Sequence, residues 1–236
     1  MKNYNRLNIL IILLLLFSNI TLSAPNEYNA IYVFSKSGIE FAESKHEMIY
    51  DKDLRQWCLY TSSNTSGLFS LKKDLRRENS CFENNIPENT SHKNIGKYLV
   101  TMMYSFERKK SNYTSKISSI KIKKNLVTSV NDQDIIHDKN IRIDRLVAQI
   151  FGYSLTKVKV SDKGRERLYK FSKISEENIK TVLGNIPTLV IKREIEGSKR
   201  STLTWYSVNH NFLPVRIEQY RLNKHMFTAV LKEYNK

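Results

Sequence analysis

The chain has 236 residues, 40% of them hydrophobic and 26% charged, with only four prolines. That balance, with 13 tyrosines and 10 phenylalanines, excludes a disordered polymer, which lacks the residues to bury a core, and points toward sheet. The formal charge is +16, and seven glycines leave little material for ligand-cradling loops: there is no G-x-S-x-G elbow, no phosphate-binding glycine loop and no dinucleotide fingerprint.

The first element in chain order is a leader. Lys2 and Arg6 precede an uncharged apolar run from Ile9 to Phe17, and Thr21-Leu22-Ser23 follows as a small-residue segment, which is the grammar of a signal peptide cut after Ser23. The run is shorter than the ~20 residues of a spanning helix; the alternative is an uncleaved anchor that holds the same domain on the outer face of the inner membrane. Residues 1–23 are read as signal peptide and 24–236 as a single exported β-rich domain, placed in the periplasm. About two hundred residues suffice for one domain with a sizeable core. Export permits a disulfide, so Cys58 and Cys81, the two cysteines of the chain, are expected to pair, with two free thiols as the alternative.

Strands are expected over 28–36, 39–50, 54–62 and 75–82, the third placing Trp57, Leu59 and Thr61 on one face and Cys58 and Tyr60 on the other. Segments 98–108 and 113–123 follow as a hairpin. A polar loop is expected over 131–140, and then Ile143, Leu146, Val147, Ile150, Phe151 and Leu155 recur at helical spacing with Asp144 in the first turn. Past this helix, strands are expected over 158–161, 168–174, 187–195, 201–208, 213–222 and 225–233, separated by turn signals such as Lys163-Gly164, Glu196-Gly197-Ser198 and Leu222-Asn223-Lys224.

No catalytic constellation emerges. His46, His92, His137, His210 and His225 have no metal-ligand spacing, so neither a metal site nor a cofactor is expected. Asp132, Asp134 and Asp138 cluster with His137 but match no complete calcium loop, and read as a solvated connection. Arg108, Lys109 and Lys110 with Lys121, Lys123 and Lys124 form either a basic surface or a lysine-protected sheet edge. Asn64, Asn89 and Asn112 begin N-x-Ser/Thr sequons.

Several segments are familiar in their order. Tyr32-Val33-Phe34 with Ser37-Gly38-Ile39, Phe41-Ala42-Glu43-Ser44, Tyr60-Thr61-Ser62-Ser63 leading to Gly67-Leu68, Asp144-Arg145-Leu146, and Thr204-Trp205-Tyr206 with Leu213-Pro214-Val215-Arg216-Ile217-Glu218 resemble bacterial exported proteins grouped as domain of unknown function 3108. The resemblance implies an antiparallel sheet curved around a helix, similar to the half-barrel of periplasmic lipoprotein carriers, and implies no established activity. Independently of it, many strands and one amphipathic helix predict a mainly β (α+β) fold: a curved antiparallel sheet or half-barrel of about ten strands packed around that helix, since each needs a partner for one face.

The function expected from this fold is noncatalytic binding of a lipid or other apolar ligand in the concave face, with Tyr32, Phe34, Trp57, Tyr104, Trp205 and Tyr206 as candidate lining residues. The alternative is an interaction protein without a ligand cavity. Loss of Lys2 and Arg6 with the leader lowers the charge from +16 to +14, and a field of that sign draws an anionic membrane surface or an acidic envelope polymer. Nucleic acid is not the expected partner in that compartment.

Overall fold

The computed structural model describes residues 25–71, 73–84, 98–110, 112–122, 125–130, 133–138 and 140–236. The leader read at 1–23 lies outside them, as do Asn89, His92, Lys123, Lys124 and Asp132. The described strands are β1 (Tyr28–Lys36), β2 (Ile39–Asp51), β3 (Gln56–Thr65), β4 (Asp74–Asn84), β5 (Leu99–Lys110), β6 (Tyr113–Ile122), β7 (Asn125–Val130), β8 (Gln133–Ile136), β9 (Ile143–Asp144), β10 (Lys157–Asp162), β11 (Arg165–Thr181), β12 (Gly184–Ile195), β13 (Arg200–Ser207), β14 (Leu213–Arg221) and β15 (Lys224–Asn235). They form one curved, unclosed 15-stranded sheet, ordered from β8 down to β1, then β15 down to β9.

This order is two runs of neighbouring strands, antiparallel except for the parallel β9–β10 pair, joined where the first and last strands pair, Ala30 opposite Tyr234 and Val33 opposite Val230. The edges of the sheet are therefore β8 and β9, consecutive in sequence and only four and two residues long. Short edges limit pairing with other chains. The ends of the sheet meet through side chains instead of a ladder. Thr128 of β7 and Ser161 of β10 lie 2.8 and 3.0 Å from His137 Nε2, and Lys163, in the β10–β11 turn, sits 3.4 Å over the Phe106 ring of β5. At Gly164 in the same turn φ is +79°, and a Cβ there would lie 2.6 Å from the Val130 side chain, so glycine is required both for the turn and for the approach of the two ends.

Strand count and helix length differ from the sequence expectation. Segments 125–130 and 133–136 are strands, although the second lies in the expected loop; its residues are all exposed, so no apolar alternation marks it. Strand β11 runs to Thr181 through the polar stretch Ser175–Thr181, held there by its pairing with β12 from Ser175 opposite Val190 to Thr181 opposite Gly184. Among the described residues regular α-helix occupies only α1 (Arg145–Ile150); a 3-10 turn, Gly152–Ser154, follows, flanked by Phe151 and Leu155, while Ile143 lies in β9. Position 152 admits only glycine: a Cβ there would lie 2.5 Å from the Tyr206 hydroxyl and 2.9 Å from the Phe171 ring.

The helix fills the curve of the sheet. Leu146, Val147, Ala148, Phe151 and Leu155 form one buried cluster with Met48, Leu59, Phe82, Leu99, Val160, Tyr169, Phe171, Ile191 and Tyr206, contributed by strands from both runs. A second cluster gathers Ala30, Tyr32, Ile186, Val190, Trp205, Leu213, Val215 and Leu231 around the β1–β15 seam. Cys58 and Cys81 face each other across β3 and β4 and form the expected disulfide.

Candidate functional site

The helix-side face of the sheet has a plugged half and an open half, and the plug is anchored by buried polar groups. Asp144 has extended backbone and caps α1: its Oδ1 accepts from the Leu146 and Val147 amides at 2.6 and 3.1 Å. Its Oδ2 accepts from the Ser80 and Thr101 hydroxyls at 2.5 and 2.8 Å, and its own amide donates back to Thr101 Oγ1 at 2.8 Å. The carboxyl is fully buried, and burial raises its pKa against the opposing pull of these hydrogen bonds. At the other end of α1 the Tyr206 hydroxyl donates to the Gln149 carbonyl at 2.6 Å, satisfying a last-turn oxygen that has no intrahelical donor.

Away from the plug, alternate positions on one face of each strand turn from apolar to charged. On β4 the series runs Phe82, Ser80, Glu78, Arg76; on β11 it runs Phe171, Tyr169, Arg167; on β13 it runs Tyr206, Thr204, Thr202, Arg200. At the border, Arg145 donates through both Nε and Nη2 to the Glu78 carboxylate, and the Tyr104 hydroxyl donates to Glu78 Oε1 at 2.8 Å. Burial and the neighbouring Arg145 pull the Lys163 ammonium down to about 8.

Past this border lies a cleft of about 420 Å³ lined by Asp162, Arg167, Ile195, Gly197, Ser198, Lys199, Arg200 and Arg221. It lies between the β10–β11 hairpin and the turns that lead into β13 and β15. Its one carboxylate, Asp162, accepts from the Tyr169 hydroxyl at 3.1 Å and lies 3.9 Å from Arg145 Nε. Two other concavities differ in character. A groove of about 530 Å³ crosses β15, β1, β2, β3 and β4 and is lined by polar side chains including Asn29, Glu47, Tyr60, Arg77, Asn79 and Glu233. The apolar gap between Tyr28, Met48, Phe151, Tyr153 and Phe212 holds only about 30 Å³.

The six aromatics expected to line one cavity are divided among three packed clusters. Tyr206 and Trp57 belong to the cluster around α1; Tyr32, Phe34 and Trp205 belong to the seam cluster; Tyr104 packs with Phe106 and Ile117. Their polar atoms are used internally: Tyr32 donates to the Pro214 carbonyl at 2.8 Å and the Trp205 indole to Glu177. Four of the six are buried, Tyr104 to 1% and Tyr32 to 2% exposure, while Phe34 and Trp57 are partly buried, as expected of residues in and around a close-packed core.

The remaining sequence candidates also separate. His137 is buried, Asp134 accepts from Ser129, and Asp138 accepts from the Asn140 amide at 3.2 Å. His210 is bonded to Ser207 at 2.8 Å. No group of three or more metal-ligating side chains is assembled among the described residues. Within the expected basic run, Arg108 is tied to Asp74 at 2.6 Å and Lys109 to Glu107 at 3.4 Å. The cleft cations were not singled out by the sequence reading. Their signal is slight: Lys199-Arg200, Arg221 and Lys224 all flank turns already marked by Gly197-Ser198 and Leu222-Asn223, but register alone makes them neighbours.

Among solved structures the chain is similar to a putative lipoprotein from Parabacteroides distasonis, at 11% identity, covering 89% of this chain and 96% of that one, with a TM-score of 0.38. It is also similar to a putative exported protein with YmcC-like fold from Bacteroides fragilis, at 10% identity, covering 92% of this chain and 99% of that one, with a TM-score of 0.38. No family model matches the chain, the exported family of unknown function that its segments resemble included. No curated protein matches it.

Proposed function

We propose that this protein is an exported, periplasmic binding protein that engages a phosphate-bearing anionic partner of the cell envelope through its basic surface. The carrying observation is the division of the helix-side face: its apolar half is occupied by α1, while its open half presents Arg167, Lys199, Arg200 and Arg221 around a cleft. The Cys58–Cys81 disulfide supports export, because such bonds persist in oxidising compartments, and the formal charge, +16 for the whole chain and +14 without Lys2 and Arg6, supports attraction to anionic surfaces. An enclosed lipid finds less support, since the apolar gap beside α1 is about 30 Å³, far below the several hundred Å³ of a ligand pocket.

Cosedimentation with phosphatidylglycerol vesicles at about 0.05 M and about 0.5 M salt tests this reading, because exposed charges are screened over a few ångströms at the higher concentration. Binding that collapses with salt is the expected result. Retention at high salt, with a lipid released stoichiometrically by organic extraction, would overturn it in favour of an enclosed apolar ligand.

A further inference from the structure

We propose that the cleft beside the turn preceding β13 is a phosphate-binding site in which Arg200 and Arg221 hold the anion between them and Arg167 closes one side. The proposal rests on the anionic-partner reading above and names the residues and the chemical group. Its basis is an unbalanced row of charge. Register places Arg200 directly opposite Arg221, and Arg221 directly opposite Lys224, so three cations stand in line across β13, β14 and β15. Like charges directly opposed across strands are destabilising.

The same sheet contains a balanced version of this arrangement. Arg76 faces Arg108 across β4 and β5, and Asp74 bridges them, accepting from Arg108 Nε and Nη2 at 2.8 and 2.6 Å and from Arg76 Nη2 at 2.8 Å. No carboxylate among the described residues forms an ion pair with Arg167, Lys199, Arg200 or Arg221. The two acids nearby are engaged elsewhere: Asp162 with Tyr169 and Arg145, and Glu196 with Lys170 at 3.2 Å. An anion from outside would take the place that Asp74 holds on β4, and phosphate suits it, because guanidinium groups bind its oxygens in bidentate pairs.

The backbone that carries the site is fixed without the ligand. The Leu222 amide donates to the Lys199 carbonyl at 2.9 Å, tying the end of β14 to the turn that carries Arg200. The Arg200 amide donates to Ser198 Oγ at 3.2 Å and the Ser198 amide to the Ile195 carbonyl at 2.9 Å. These backbone donors are occupied, so recognition falls to the guanidinium groups. A cleft of about 420 Å³ exceeds a single phosphate and admits the group that carries it.

Calorimetric titration of the purified protein with inorganic pyrophosphate is the test, on wild type, on R200Q/R221Q and on K36Q/K52Q, which removes the same charge from exposed positions elsewhere. Wild type is expected to bind, R200Q/R221Q to weaken by about tenfold or more, and K36Q/K52Q to stay within about twofold. Absence of binding to wild type, or equal weakening in both variants, would overturn the site. In phosphate-free buffer R200Q/R221Q is expected to melt at or above the wild-type temperature; a lower melting temperature would overturn the premise that the arginines are uncompensated. Phosphatidylglycerol vesicles separate this proposal from the one it rests on. Vesicle binding without pyrophosphate binding overturns the cleft and leaves the surface reading standing; pyrophosphate binding without vesicle binding overturns the membrane partner and identifies a soluble phosphate. When both occur, loss of vesicle binding in R200Q/R221Q identifies the lipid headgroup.

Discussion

At the plugged end of the helix-side face, polar groups are answered from within the protein: Asp144 receives two amides and two hydroxyls, and Glu78 receives Arg145 and Tyr104. At the open end, Arg200 and Arg221 are opposed in register around a cleft whose single carboxylate is already engaged. Both ends are built from the same alternation of side chains across one sheet. The difference is the crossover segment: α1 brings its own cap and counter-charges to one end and does not reach the other. Burial of a charge is tolerated only with its partners in place, so the plugged end supplies them internally, while the open end leaves its cations to water or to a ligand.

Breaking the plugged end should have the largest effect. Asp144→Ala removes the helix cap and leaves the Ser80 and Thr101 hydroxyls without their acceptor, and is expected to cost about 3 kcal/mol or more, read from the denaturant midpoint. Substitutions confined to the open end should cost far less; an equal cost at both ends would remove the distinction. Gly152→Ala probes the same plug by crowding, since the added carbon meets the Tyr206 hydroxyl and the Phe171 ring. A loss of about 2 kcal/mol is expected, with the Tyr206 bond to Gln149 weakened and the near-ultraviolet signal of the aromatic cluster altered.

Acid should act on half-buried His46 and buried His137 rather than on the exposed cleft. Burial lowers His46 from 6.5 to about 4 and lowers His137 as well. Both are neutral in the folded protein, so the unfolded chain takes up protons first as pH drops below about 6.5. The His46 contribution is complete above that pH and is lost progressively toward about pH 4, His137 acting in the same direction, and the loss is expected to shift the melting temperature by about 2–6 °C. His46→Gln should flatten this dependence, and a profile unchanged by the substitution would show that His46 is not responsible.

The smallest effect compares the two arginine pairs directly. Asp74→Asn should destabilise by about 1 kcal/mol, because it leaves Arg76 and Arg108 opposed without their bridge at a partly solvated site where screening limits the gain. The Arg108 guanidinium beside Asp74 holds that carboxyl well below the usual carboxylate range, so its contribution in wild type is present above about pH 4 and fades below it. Removing the charges at Arg200 and Arg221 should have the opposite sign. Two losses of similar size would mean that the pairs are alike.

Sequence by itself determined much of the scaffold. Alternation and turn residues marked β1, β2 and the hairpins from β12 to β15, and apolar spacing marked the crossover at Ile143–Leu155, because each of these signals is local. The pairing of Cys58 with Cys81 followed from their number and the expected compartment. Local signals could not reveal β8, whose four residues are all exposed, nor the polar end of β11, which is a strand because β12 pairs with it. Nor could they reveal that Gly152 lies too close for any side chain to Tyr206 and Phe171, residues 54 and 19 positions away in the chain.

The candidate site was the least legible part, for the same reason. An aromatic on a strand reads identically whether it lines a cavity or fills a core, and only the placement of α1 assigned Tyr206 and Trp57 to packing around a filled curve. Likewise, Arg200 and Arg221 are ordinary strand-end cations in the sequence. Whether two such residues find a carboxylate, as Arg76 and Arg108 find Asp74, or face each other across an open cleft depends on strand register and on the path of the crossover, which are long-range consequences of the fold.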